Sequence, residues 1–153
     1  MEDKFLILRS KASKDLYPTN DAFDFKNQFA GRFRIRDDAR VGLAEIRLQY
    51  SKAKSPKNVI VISDIADDTV IGETRLNLIK IVDLSQGRSA QELTDDYITI
   101  AFERPHFFPT SKSLTNSVTI TLLDLETGKP ISALFKPEEI TNFKETFVTL
   151  QFR

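Results

Sequence analysis

The chain has 153 residues, with 22 lysines and arginines against 22 aspartates and glutamates, and no cysteine. Its length fits one domain over residues 1–153, since domains commonly run about 100–150 residues. The charge balance speaks against a dedicated nucleic-acid or membrane-surface binder, and the missing cysteine excludes disulfides, thiolate metal sites and cysteine nucleophiles. No apolar run approaches the ~18 residues of a membrane span. The start, Met1-Glu2-Asp3-Lys4-Phe5, is too acidic for a signal peptide. Twelve Phe against no Trp is unusual. Phe brings apolar area without a polar group to satisfy, so these rings are expected in a sandwich core, with some facing a partner subunit.

Period-two alternation dominates the chain. Phe5 to Leu8 reads as a short first strand. Ala22 to Phe29 alternates Phe with polar residues, which points Phe23, Phe25 and Phe29 inward. Phe33 and Ile35 make a brief alternating piece, and Val41 to Tyr50 a clean one with Ile46, Leu48 and Tyr50 on one face. Val59 to Ile62, Thr69 to Ile71, Arg75 to Val82, Tyr97 to Phe102, Val118 to Asp124 and Phe147 to Phe152 follow as strands. Proline is expected only in the connections. Helix signals are two single turns. Ser89 with Glu92 has capping-box spacing, and Pro137 to Ile140 is the other. Many short strands with almost no helix predict an all-β sandwich, jelly roll or barrel.

Few residues carry chemistry. His106 is the one histidine, and it cannot build a multi-histidine metal site. Asp64, Asp67 and Asp68 share a loop. Carboxylates bind hard cations, but their spacing matches no calcium loop, and Asp is a common turn residue. Asp37-Asp38 and Asp95-Asp96 single out no glycosidase pair. No catalytic residue, cofactor or metal is therefore expected. Arg32, Arg34 and Arg36 alternate with Phe33 and Ile35, and Arg40 follows. This pattern places the guanidiniums on one strand face, either solvated and ion-paired or touching a neighbouring subunit, where Arg is enriched. Lys52, Lys54 and Lys57 form a second, solvated basic loop. Arg104-Pro105-His106-Phe107-Phe108-Pro109 is stiffened by two prolines.

Four stretches in order resemble the minor capsid, or penton, protein of Polinton/Maverick elements, Polinton-like viruses and virophages. They are Leu16-Tyr17-Pro18-Thr19-Asn20 with Phe23-Asp24-Phe25, then Val41-Gly42-Leu43-Ala44-Glu45-Ile46, then Arg104 to Pro109. The last is Thr149-Leu150-Gln151-Phe152-Arg153, after Leu122-x-Asp124-x-x-x-Gly128-x-x-Ile131. Arg40 and Val41 depart from the aromatic often found there in the family. The resemblance implies a single jelly roll of two four-stranded antiparallel sheets, in a minimal version of the family. It implies a non-enzymatic homopentamer at the fivefold vertices of an icosahedral virion, made in the host cytoplasm or nucleus. The partner would be a double-jelly-roll major capsid protein, with no specific nucleic acid and no membrane span. Arg32, Arg34, Arg36, His106, Phe107 and Phe108 are the expected subunit-interface residues. The alternative is a soluble β-sandwich binding module, trimeric receptor-binding or carbohydrate-binding, which Tyr17, Tyr50 and Tyr97 in one exposed patch would favour.

Overall fold

The computed structural model describes residues 3–49, 55–86, 88–89, 97–111 and 114–153. Eight strands build two sheets: β1 (Lys4–Arg9), β2 (Asp24–Arg34), β3 (Arg40–Gln49), β4 (Asn58–Ser63), β7 (Leu78–Asp83), β9 (Tyr97–Ala101), β11 (Leu114–Asp124) and β12 (Phe147–Phe152). Between β4 and β7 a small hairpin forms from β5 (Thr69–Ile71) and β6 (Thr74–Leu76). Two-residue pieces, β8 (Arg88–Ser89) and β10 (Phe108–Pro109), add to β9 and β3.

The strand order identifies the fold. One sheet runs β1-β12-β3-β9 and the other β2-β11-β4-β7. The first strand therefore pairs with the last, β2 with β11, β3 with β9 and β4 with β7, all antiparallel. The chain is a long antiparallel ribbon rolled on itself, which is the jelly roll. The inner faces bury the alternating residues expected from the sequence. Phe25 is 1% exposed, and Ile46, Ile120, Leu122 and Leu150 are fully buried. Phe23 stacks on Phe135 at 5.7 Å and meets Phe143 edge-on at 5.1 Å, so the aromatics close one end of the core.

Several expectations change. Arg75 to Val82 is two strands, broken at Asn77. The Asn77 carbonyl accepts from Ser63 N–H, and its side-chain amide donates to the Ala66 carbonyl and Asp68. Phe33 belongs to the end of β2, beyond a bulge in which the register moves from Ser117 opposite Gln28 to Thr115 opposite Phe33. Ile35 lies just outside the strand, yet is buried. Pro109 sits in a strand, contrary to the rule read from the sequence. It is tolerated because, among the described strands, β10 pairs with β3 alone, and on the side away from β3 the Pro109 carbonyl accepts from Asp67 N–H. Ile131–Leu134 is a 3-10 turn, and the turn at Pro137 is the short helix α1 (Pro137–Thr141) with Pro in its first turn. Ser89 lies in β8, while residues 90–93 of that expected turn are outside the described residues, as is Tyr50.

Side chains seal the sheet edges. The free edge of β1 at Arg9 is closed by Asn27: its Oδ1 accepts from Arg9 N–H at 2.7 Å, and its Nδ2 donates to the Arg9 carbonyl at 2.8 Å. Asn20 does the same for Lys26 of β2 at 3.0 and 2.8 Å, and Ser13 Oγ accepts from Gln28 N–H. Open edges invite pairing with other chains. Among the described residues the seal stops short of the start of β1. Backbone groups alternate sides along a strand, so Phe5 and Ile7 direct theirs to the open edge, as Arg9 does. Their side chains are 56% and 63% exposed.

Asn27 is buried and serves three backbone groups, the Arg9 N–H and carbonyl and, at 3.4 Å, the Ala12 carbonyl. Truncation strands them, at about 1–3 kcal/mol for buried polar groups left unpaired. Asn27→Ala is expected to lower unfolding free energy by about that amount in urea melts. An unchanged midpoint would mean that the edge at Arg9 is satisfied by water.

Candidate interaction site at one end of the sandwich

The rolled ribbon brings distant segments to one end. The connections after β2, β4 and β9 leave there, beside the start of β1 and the end of β12. All six residues expected at an interface lie at this end, but they do not form one patch.

The joint is built on Gly42. A Cβ placed on Gly42 would sit 2.8 Å from the His106 carbonyl oxygen, 3.1 Å from Pro105 Cβ and 3.2 Å from Phe107 Cδ1. Only glycine admits the proline-stiffened loop against β3. That close approach sets Phe108 opposite Val41 and Pro109 opposite Arg40. It also presents the half-buried Phe107 ring to Arg153, whose guanidinium lies 4.8 Å from the ring centroid. Arg153 is fixed by reciprocal backbone bonds with Arg40 at 2.8 and 2.9 Å and by Asp3, whose carboxylate is 3.3 Å from its guanidinium. His106 is exposed, and its ring stands 4.8 Å from Phe108. Its backbone carbonyl is the part that packs against Gly42.

Beside the joint lies a cleft of about 150 Å³ lined by Phe33, Ile35, Ala39 and Phe152, with Lys4, Arg34, Arg36 and Arg153 at its rim. Phe33 and Phe152 pack at 5.2 Å and Lys4 Nζ hangs 6.0 Å over Phe33. The arginine alternation holds as exposure, since Arg32, Arg34 and Arg36 all face solvent. Its expected geometry is corrected. Arg32 falls in the β2 bulge, Arg34 pairs opposite Leu114, and Arg36 lies past the strand and reaches Asp38 at 3.5 Å. Only Arg34 and Arg36 line the cleft. Sequence reading missed Lys4, Phe152 and Arg153, because they reach this end from the two extremes of the ribbon and carry no local pattern.

The acidic loop is committed to holding itself. Asp64 Oδ1 accepts from Thr119 N–H, Asp67 Oδ1 from Asp68 N–H and Asp68 Oδ1 from Asn77. Among the described residues no three of His, Cys, Asp and Glu gather as metal ligands, and no helix is long and apolar enough to cross a membrane. A wider opening of about 330 Å³ lies at the opposite end, between the β1–β2 connection and α1. Asp21 there accepts from the Phe23 and Asp24 amides, and burial raises its carboxyl pKa. On the outer face Arg47 stacks on the buried Tyr97 at 4.7 Å, while Arg9 and Arg47 both lie over Phe147. No family model and no curated protein matches the chain.

Gly42→Ala must push the loop backbone away. Overpacking of this kind costs about 1–3 kcal/mol, and each kcal/mol lowers the melting temperature by about 2–4 °C at this size. Gly31→Ala, where nothing lies within 4 Å of the added carbon, is the control and should stay within about 0.5 kcal/mol. Equal melting of the two variants would remove Gly42 from its role.

Hydrogen bonds from Arg153 and then Gln151 hold the Asp3 carboxyl below its ordinary value of 3.8. A carboxylate with a depressed pKa adds stability above its unfolded value and loses it as pH falls through the folded one. Asp3→Asn is therefore expected to be less stable than the parent at neutral pH, with the difference closing below pH 3.8. A gap that persists in acid would show a packing effect instead.

Proposed function

We propose that this chain is a non-enzymatic viral structural subunit: a minor capsid, or penton, protein. Homopentamers of it would plug the fivefold vertices of an icosahedral virion and contact a double-jelly-roll major capsid protein. The observation that carries this reading is the joint. Three stretches that resemble the penton family are far apart in the chain and meet in one place. Gly42 comes from the Val-Gly-Leu strand, Phe107 from the Pro-aromatic loop and Arg153 from the terminal Leu-x-Phe-Arg strand. The jelly-roll strand order supports the same reading, although a fold by itself fixes no function.

The surface adds support. Phe5 and Ile7 on an unsealed edge, and a basic cleft over apolar rings, are features that a neighbouring subunit covers. The sugar-binding alternative gains nothing from the described tyrosines. Tyr97 is buried under Arg47, and the half-buried Tyr17 donates its hydroxyl to Gln28 at 2.8 Å, so the two build no exposed platform.

Native mass spectrometry or light scattering over a range of protein and salt concentrations tests the reading. The expected species is five times the 17.5 kDa chain mass, growing with concentration. A trimer would transfer the assignment to the receptor-binding alternative.

A further inference from the structure

The cleft beside the joint is lined by side chains of two kinds. Its floor is apolar: Ile35, Ala39 and Phe152 are buried members of the core, and Phe33 packs on Phe152 at 5.2 Å. Its rim is cationic, with Lys4, Arg34, Arg36 and Arg153. Among the described residues no carboxylate and no neutral polar side chain lines it. Two of the cations are matched from outside the cleft, Arg36 by Asp38 at 3.5 Å and Arg153 by Asp3 at 3.3 Å. Lys4 and Arg34 have no carboxylate partner among the described residues. The Arg153 carbonyl is engaged elsewhere, accepting from Arg40 N–H of β3 at 2.8 Å.

This lining selects a ligand by what it lacks. A sugar is oriented by hydroxyl, amide and carboxylate side chains, and the cleft offers none among the described residues. A bare inorganic anion would leave the apolar floor uncovered, and a hydrocarbon would leave Lys4 and Arg34 without a counter-charge. The volume is about 150 Å³, which is room for one benzene ring. We propose that the cleft binds a small apolar monocarboxylate of the arylalkanoic type. The ring lies against Phe33 and Phe152, as aromatic pairs pack, and the carboxylate sits between Lys4 and Arg34. The planar guanidinium fork of an arginine matches a carboxylate. Lys4 Nζ stands 6.0 Å from the Phe33 centroid, so charge and ring surface adjoin. The site is complete within one copy and goes beyond the penton reading. A neighbouring subunit over this end would enclose the acid, so binding is read on dilute protein, where assembly does not enter.

The test is a titration at low salt with 3-phenylpropionate, followed by nuclear magnetic resonance. Affinity at about 1 mM or tighter is expected for a ligand of this size. The neutral isostere 3-phenylpropanol keeps the ring and loses the charge. Propionate keeps the charge and loses the ring. Each should bind at least about tenfold more weakly than the acid. Lys4→Gln and Arg34→Gln should each weaken the acid about threefold, and the double variant should bind acid and alcohol alike. Both side chains are exposed, so these variants should melt with the parent. Arg75→Gln, an exposed arginine outside the cleft, is the control and should bind as the parent does. The site is overturned if acid and alcohol bind equally, if propionate matches the ring-bearing acid, if the double variant keeps the parent's preference, or if millimolar acid does not bind. The pentamer is read separately by native mass, so loss of this site leaves the penton reading standing.

Discussion

The missing side chain at Gly42 is the constraint on which this end of the molecule depends. The His106 carbonyl oxygen, with the Pro105 and Phe107 side chains beside it, crowds the place where any other residue would put its Cβ. That approach docks β10 on β3, orients Phe107 under Arg153 and allows the 109–111 segment to meet the loop before the hairpin. Arg153 then ties the end of the chain to its beginning through Asp3 and to β3 through Arg40. A steric fact at one residue thereby organises the cleft, the aromatic loop and the base of the hairpin together.

The rolled ribbon explains why so much depends on so few residues. Three of its four antiparallel pairs join strands far apart in the chain, the outermost joining Lys4 to Phe152, while the innermost, β4 with β7, spans only the stretch with the β5–β6 hairpin. The three are non-local, and each closes a long loop before any contact rewards it. Local devices therefore matter at the edges. Asn20 and Asn27 close β2 and β1 with side-chain amides that mimic a neighbouring strand. What they leave open, Phe5 and Ile7, is a short stretch suited to burial against another subunit.

The strands were legible because burial follows period two. Phe23, Phe25, Ile46, Leu48, Ile120, Leu122, Val148 and Leu150 alternate inward as their spacing predicts. The helical turn at Pro137 was legible from its proline and acidic residues. Strand order was not, because periodicity says which face a residue takes and nothing about its neighbour. The jelly roll came from the resemblance. The bulge in β2 was hidden too, since Arg-Phe-Arg-Ile-Arg alternates as though the strand were regular. The site was half legible. Arg34, Arg36 and Phe107 drew notice by composition, but Gly42 reads like any strand glycine, and Lys4 and Arg153 like ordinary charged termini. Their roles arise from contacts across most of the chain, which leave no local signal.

Electron cryomicroscopy of the purified chain, at a concentration where it associates, tests the central claim most directly. The account predicts fivefold ring averages in which the end carrying Gly42, Phe107 and Arg153 forms the contact between neighbours. Twofold or threefold particles would contradict it, as would rings joined through the opposite end, beside Asp21 and α1.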